Sequence, residues 1–177
     1  MSLLLDHFNA YAQRWPNEAD TRHFIEFLGM GERAFVREHL EGHFTGSAWL
    51  VSADGERILL THHRKLGRWL QLGGHADGDM DLSRVALREA EEESGLSGLS
   101  VEAEPFDLDR HRIPARGQES EHWHYDVRYV VRAGASEDFE VSEESHALAW
   151  RSIRDIAEDP ASDESLRRMA DKWLQRR

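Results

Sequence analysis

The chain has 177 residues, of which 40% are hydrophobic and 32% charged, a balance that can fill one core and is not that of a disordered chain. It contains no cysteine, which excludes disulfides, thiolate zinc sites and cysteine nucleophiles and fits a reducing cytoplasm as its location. The net charge of −12 would repel a nucleic acid backbone, and no stretch approaches the roughly 20 apolar residues that span a bilayer, so we expect neither nucleic acid nor membrane as a partner.

Residues 1–43 are predicted to form a helical extension. Apolar residues recur there at helical spacing up to Pro16, which ends the first helix. A second helix is predicted to end near Gly29, and a third is predicted over residues 35–40. We expect this extension to pack on a domain formed by residues 44–177, with its aromatic side chains forming either core or a homodimer contact. These aromatic residues are Phe8, Tyr11, Trp15, Phe24, Phe27 and Phe35.

After residue 43 the pattern changes to that of strands. Residues 46–51 are typical of a strand, Asp54-Gly55 of a hairpin turn, and residues 57–61 of the returning strand. Strands surrounded by helices, and partly joined by hairpins, predict an α/β fold with a mixed sheet between layers of helices. Further strands are predicted at 69–72, 101–105, 106–113, 123–131 and 147–150, and further helices at 153–157 and 166–174.

One predicted helix, between Asp81 and Gly95, combines apolar and acidic residues on a single face. Asp81 is suited to cap its N-terminus and Gly95 to end it in a left-handed conformation. At about 100° per residue, the apolar half of this face continues directly into an acidic half. The face consists of Leu82, Val85 and Ala86, followed by Glu89, Glu92 and Glu93.

Three carboxylates that continue an apolar stripe lie at the edge of the core, where their mutual repulsion increases with burial. A divalent cation removes this repulsion, and oxygen ligands on a rigid helix favour Mg²⁺ or Mn²⁺ over soft metals. The alternative is a solvated acidic patch, which the position of the acids on the apolar stripe disfavours. The stripe therefore predicts a site for Mg²⁺ or Mn²⁺.

The segment that contains this helix resembles the Nudix box, a 23-residue signature written G-x5-E-x7-R-E-U-x-E-E-x-G-U, where U is a bulky aliphatic residue. So many matches at fixed spacing make the resemblance specific, and the flanking strands extend it to about residues 44–157. The matching residues are Gly74, Arg88, Glu89, Glu92, Glu93, Gly95 and Leu96.

The box departs from the family pattern at Met80, which stands where the family has its first glutamate. Asp79 and Asp81 are the candidates to replace that carboxylate. The departure removes one carboxylate from the outer part of the implied metal site and leaves the three-carboxylate centre intact.

The resemblance implies a Nudix-type α/β/α sandwich with a mixed β-sheet and the activity of a metal-dependent hydrolase of acid anhydrides. Mg²⁺ or Mn²⁺ would bridge the phosphoryl groups of a diphosphate and acidify the attacking water. Arg88 would pair with Glu89 and orient it. The metal ligands that the resemblance implies are Glu89, Glu92, Glu93 and the Gly73 carbonyl.

In many Nudix enzymes the general base comes from a loop late in the chain, just before a strand that ends in tryptophan. The corresponding loop here precedes Trp150 and contains Glu144, our first choice, and Glu143, our second. A solvated acidic loop is the alternative. The predicted catalytic residues are thus Arg88, Glu89, Glu92 and Glu144.

Polar and apolar side chains alternate over residues 122–131, which places the polar ones on one face of a strand. We expect this face to share a cleft with the three glutamates, because a polyanionic substrate in an acidic protein needs a cationic donor. An exposed edge strand is the alternative, and a zinc site at the two histidines of this face lacks an evident third ligand. With His75 of the box loop, close to the expected path of the phosphates, the predicted substrate-binding residues are His122, His124 and Arg128, next to Asp126.

The leading functional hypothesis is hydrolysis of a small nucleotide-type substrate, either a nucleoside diphosphate linked to another moiety, such as ADP-ribose or a sugar nucleotide, or a nucleoside triphosphate. The alternative is a catalytically weakened Nudix-fold module that binds nucleotides or regulates, which Met80 favours and the intact Arg88-Glu89 pair opposes. Isopentenyl diphosphate isomerase, a Nudix relative, uses a catalytic cysteine and is excluded. The box itself does not identify the nucleotide, because base recognition in this fold lies in variable loops.

Overall fold

The computed structural model describes residues 1–18, 20–39, 41–64, 66–117, 120–141 and 145–176. The helices are α1 (Ser2–Arg14), α2 (Thr21–Leu28), a 3-10 helix (Gly31–Phe35), α3 (Leu82–Ser94), α4 (Ile153–Glu158) and α5 (Glu164–Leu174). The strands are β1 (Gly42–Val51), β2 (Arg57–His63), β3 (Trp69–Leu70), β4 (Leu72–His75), β5 (Ser100–Ile113), β6 (His122–Arg132) and β7 (Ser145–Ser152).

The strands form one mixed sheet in the order β3-β2-β1-β6-β5, with β4 paired to β1 and β7 paired to β2. The β1–β6 pair is parallel, and the other pairs are antiparallel. The N-terminal half of β1 therefore lies between β4 and β6, while its C-terminal end joins β2 through the predicted hairpin. The start of β1 therefore lies beside β4, the strand that contains the first glycine of the box.

Helices cover both faces of the sheet, which confirms the predicted α/β/α class. Alternate residues of β6 divide between the two cores: Val127 packs in one apolar cluster with α1, α2 and α3, whereas Val130 packs in a second cluster with α4 and α5. Among the described helices, none is long and apolar enough to cross a membrane.

The aromatic side chains of the N-terminal helices belong to the core, which is one of the two alternatives that the sequence left open. Phe8 and Phe24 are fully buried, and the Phe27 ring stacks on Tyr125 of β6 with 3.9 Å between ring centroids. Trp15 is partly buried against the same cluster. A homodimer contact would therefore have to use other surfaces.

Three predictions on local structure need correction. The single strand predicted over residues 69–72 is two strands, β3 and β4, which pair with β2 and β1 respectively. The third helix predicted over residues 35–40 is wrong: the 3-10 helix ends at Phe35 and Val36 is already extended, with φ −116° and ψ 140°, while Leu40 lies outside the described residues. The two extended segments predicted on either side of Pro105 form a single strand, β5. Its pairing register with β6 shifts on both sides of Pro105, which accommodates a residue that cannot donate to the ladder.

Candidate active site

The helix α3 begins and ends where its capping residues predict. The Asp81 side chain accepts a hydrogen bond from the Arg84 backbone N–H at 3.2 Å, and Gly95 has a left-handed φ of 68°. The apolar half of the stripe is buried at Leu82, Val85 and Ala86. The acidic half therefore follows at the edge of the core, next to β4.

Two of the three carboxylates lie directly on β4. Glu93 Oε1 accepts a hydrogen bond from the Gly73 backbone N–H at 2.8 Å. The Glu89 carboxylate lies over Gly74, so closely that a Cβ atom at Gly74 would be 2.4 Å from Glu89 Oε2. Glu92 is exposed. At this edge of the sheet, α3 thus provides carboxylate oxygens as possible metal ligands, and β4 provides glycine backbone.

Arg88 holds Glu89 in this position. Its Nη2 atom donates to Glu89 Oε1 at 3.0 Å and to the His75 carbonyl at 3.3 Å. The hydrogen bond to Glu89 raises the pKa of Arg88, so the guanidinium stays charged. Arg88 is therefore a positioning residue that ties the Glu89 carboxylate to β4.

The donors at this edge fit a hard divalent cation. Carboxylate oxygens are the ligands that Mg²⁺ and Mn²⁺ prefer, and the missing side chains of Gly73 and Gly74 let the carboxylates approach the backbone. In the described residues, however, the three glutamates do not bring one ligand oxygen each within 4.8 Å of the others. A trio of histidines does bring one ligand nitrogen each that close together.

Met80 and its acidic neighbours have other contacts. Met80 is partly buried against the apolar cluster below α3. Asp79 forms an ion pair with Arg84, at 2.6 Å and 2.8 Å, and Asp81 caps α3. These contacts engage both candidate replacements for the missing glutamate.

The N-terminal extension holds the box loop, a contact that the sequence did not reveal. Arg37 forms a two-bond ion pair with Asp77, each bond 2.6 Å, and the Gly78 backbone N–H donates to the Phe35 carbonyl at 2.8 Å. Asp77 has a positive φ of 49°, which the pair with Arg37 helps to fix. The partners are 40 residues apart, so no local pattern could have predicted the pair.

The loop predicted to supply the general base contains Glu143 and Glu144, which lie outside the described residues. The choice between them stays a prediction. The strand that follows, β7, contains the tryptophan Trp150 on which the choice depends.

The polar face of β6 exists, but it lies on the far side of the sheet from α3, so the prediction that it shares a cleft with the three glutamates is wrong. The physical reason is that Tyr125, Val127 and Tyr129 pack on the same cluster as α3. The polar side chains alternate with them and point to the α5 side, where Arg128 Nη1 is 3.9 Å from Met169 Sδ.

Arg128 lies in a buried ion-pair network. Its side chain is 3% exposed and pairs with Asp126 at 2.8 Å and with Asp107 at 3.2 Å. Asp126 also accepts hydrogen bonds from Thr45 and Ser47 of β1. This geometry does not fit the predicted contact of Arg128 with substrate, and we assign its guanidinium to the network instead.

The two predicted histidines of β6 belong to a cluster with His43 and His75. The His43 ring lies 4.7 Å from that of His124, 5.0 Å from that of His122 and 5.0 Å from that of His75. Burial, with smaller contributions from neighbouring histidines, lowers the pKa of His43 to about 3 and that of His124 to about 2. Both rings are therefore neutral at pH 7.

His43 was not among the predicted site residues, although the sequence contains a signal for it. In β1, His43, Thr45 and Ser47 alternate with Phe44, Gly46 and Ala48. This is the same period of two that identified the polar face of β6. Because the strands are parallel neighbours, the two polar faces coincide.

Adjacent glycines of β4 allow a test of the contact with Glu89. We expect Gly74→Ala to lower turnover by about 100-fold, because the added methyl would displace the Glu89 carboxylate and small displacements of reacting groups cost rates of that order. The fold should survive, since a flexible side chain can move. Gly73→Ala is the contrasting variant: its Cβ would lie 2.7 Å from the Ser47 Cα, so β1 must shift, at about 1–3 kcal/mol.

Turnover assays and thermal melting of the two variants separate the effects. Unchanged turnover in Gly74→Ala at saturating metal would contradict the seating of Glu89 on β4.

Several solved structures resemble this chain. A hydrolase of the NUDIX family from Clostridium perfringens has a TM-score of 0.60 and 24% identity, covering 75% of this chain and 96% of that one. A C. elegans Ap4A hydrolase has a TM-score of 0.58 and 17% identity, covering 75% and 95%. The NUDIX domain of Shewanella oneidensis NrtR, complexed with ADP ribose, has a TM-score of 0.51 and 19% identity, covering 75% and 86%. These likenesses show the fold.

No sequence among the curated proteins matched the chain. The family model of the NUDIX domain matches residues 43–172, which include α3 and β4 with all the carboxylates described above. Because this match covers well over half of the chain, the chain belongs to the Nudix family and is by class a Nudix pyrophosphohydrolase.

Proposed function

We propose that this chain uses Mg²⁺ or Mn²⁺ to hydrolyse a phosphoanhydride bond, either in a nucleoside diphosphate linked to another moiety or in a nucleoside triphosphate. The observation that carries the proposal is the seating of Glu89 and Glu93 on the glycines of β4. The two carboxylates lie against strand backbone that has no side chains, which leaves space for a cation and for the phosphate that would bind it.

Each residue would have a distinct task. Glu89, Glu92 and Glu93, with the Gly73 carbonyl, would hold the metal, and Arg88 keeps Glu89 in place through the observed ion pair. A bound divalent cation would neutralise charge on the diphosphate and acidify a water. Glu144, or else Glu143, would accept the proton from that water.

The substrate class follows from charge and from the relatives. A chain of net charge −12 can bind a polyphosphate only through metal ions or local cations. The Ap4A hydrolase and the ADP-ribose complex among the relatives support a nucleotide-type molecule. A location in the reducing cytoplasm is part of the same proposal.

A catalytically weakened nucleotide-binding module is the second candidate. It is favoured by Met80, which packs against the core where the family has a carboxylate. In that case the chain would bind nucleotides without hydrolysing them.

The deciding experiment screens the purified full chain against nucleoside triphosphates, sugar nucleotides, ADP-ribose and dinucleoside polyphosphates with Mg²⁺ or Mn²⁺. We expect release of a nucleoside monophosphate or pyrophosphate from at least one class, its loss on chelation, and a rise in melting temperature with metal, because the ion binds only the folded site. Hydrolysis that persists after exhaustive chelation would contradict the metal-dependent reaction. Nucleotide binding without hydrolysis would establish the second candidate.

A further inference from the structure

Neighbouring strands align histidines across one face of the sheet. In the parallel β1–β6 pair His43 is directly opposite His124, and in the β1–β4 pair His75 is opposite Thr45, two residues after His43. The three rings lie 4.7–5.2 Å apart, and one ligand nitrogen from each lies within 4.8 Å of the other two. This face is opposite the one on which α3 packs.

We propose that His43, His75 and His124 form a binding site for a divalent transition-metal ion such as Zn²⁺, separate from the Mg²⁺ or Mn²⁺ site at the glutamates. Ligand nitrogens around a tetrahedral ion, each 2.0–2.1 Å from it, lie about 3.3 Å apart. Small side-chain rotations therefore bring the three imidazoles from their present spacing to coordination distance.

The burial of His43 and the lack of hydrogen bonds to its ring support a bound ion among the three histidines. His43 is 2% exposed, and within the described residues neither of its ring nitrogens has a hydrogen-bond partner. The buried Nε2 atom of His124 also lacks a partner there. Unpaired buried polar atoms are costly and uncommon, and a metal ion bound between these nitrogens would satisfy them.

The donor set determines the class of ion. Imidazole nitrogens suit zinc, copper and nickel, whereas Mg²⁺ and Ca²⁺ require oxygen. Three protein ligands leave a fourth position, and His122, whose ring is 5.0 Å from that of His43, is within reach of it. Because the ligands come from β4, β1 and β6, the ion would tie these strands together two residues beyond Gly73.

Cobalt is the appropriate probe, since tetrahedral Co²⁺ absorbs visible light and replaces Zn²⁺. The metal-stripped full chain is titrated with Co²⁺ and then with Zn²⁺, while absorption and melting temperature are measured. We expect one equivalent of Co²⁺ to give tetrahedral absorption bands that Zn²⁺ abolishes, and both ions to raise the melting temperature. Absence of the bands, or bands without a rise in melting temperature, would overturn the proposal.

Variants assign the ligands. His43→Gln and His75→Gln should each weaken Co²⁺ binding by more than about 10-fold, at least the cost of losing an outer-shell partner. His75 is less buried than His43, so His75→Gln decides the matter if His43→Gln does not fold. Glu93→Gln and His62→Gln, the latter in β2, are the controls and should keep the bands. Bands that survive in both ligand variants, or that vanish in Glu93→Gln, would place the ion elsewhere and overturn the proposal.

Discussion

Glu93→Gln is expected to lower turnover by about 100- to 1,000-fold with Mg²⁺ or Mn²⁺, the range observed when one group that stabilises transition-state charge is removed. The glutamine keeps an oxygen that can accept the hydrogen bond from the Gly73 N–H, now 2.8 Å from Glu93 Oε1. The local structure should therefore persist while the charge that the cation needs is lost. Steady-state assays at several metal concentrations measure the effect.

Glu91→Gln is the matched control, because Glu91 lies on the same helix, is exposed, and is outside the acidic stripe. It should leave turnover within about twofold, since a surface charge of this kind is screened by water and salt. Equal losses in the two variants would mean that general acidity of the helix, and not the seat on β4, supports the reaction. Near-normal turnover in Glu93→Gln would remove Glu93 from the metal ligands.

The helix α3 could be predicted closely because its signals are local. Asp81 and Gly95 set its ends, and the rotation of about 100° per residue fixed the side that carries Glu89 and Glu93. Strand positions were also accessible from alternation and from turn residues, except around Pro105 and over residues 69–72. Contacts within about one helical turn, or across one hairpin, leave their pattern in consecutive residues.

The environment of the β6 polar face could not be predicted in this way. Alternation shows that Arg128 and Asp126 share a face, but not what covers that face. The cover comes from Arg168 and Lys172 of α5, which are 61 and 65 residues away from their shared partner Asp107. A face that pairs with distant buried charges and a face that lines a cleft have the same alternation in the sequence.

The histidine trio likewise could not be predicted from local patterns in the sequence. The two histidines of β6, His122 and His124, were evident from alternation, but the trio of His124 with His43 and His75 was not, because His43 and His75 reach the site through strand pairing. The parallel register between β1 and β6 places His43 beside His124. Such a register depends on the whole fold, since the crossover between parallel strands has no local signature.

Asp107→Asn is expected to destabilise the protein by about 3–5 kcal/mol, the cost of removing one partner from a buried ion pair. The side chain is fully buried, and its two oxygens accept hydrogen bonds from three cations: Lys172 at 2.7 Å, Arg168 at 2.7 Å and 3.0 Å, and Arg128 at 3.2 Å. Burial alone would raise the pKa of Asp107, but the hydrogen bond from Arg168 and the charges of its partners lower that pKa below its usual range.

Asparagine has nearly the same size as aspartate, but its amide nitrogen cannot accept the hydrogen bonds that one carboxylate oxygen now accepts. At least one buried cation would lose its hydrogen bond to Asp107, and the network that joins β5, β6 and α5 would lose the negative charge at its centre. Glu102→Gln is the matched control: Glu102 is also on β5 and pairs with two arginines, at 2.8 Å and 2.9 Å, but its side chain is 34% exposed. That change should cost about 0–1 kcal/mol. Denaturant unfolding of both variants, compared at equal m-values, measures the difference, and equal costs would show that burial does not set the strength of the network.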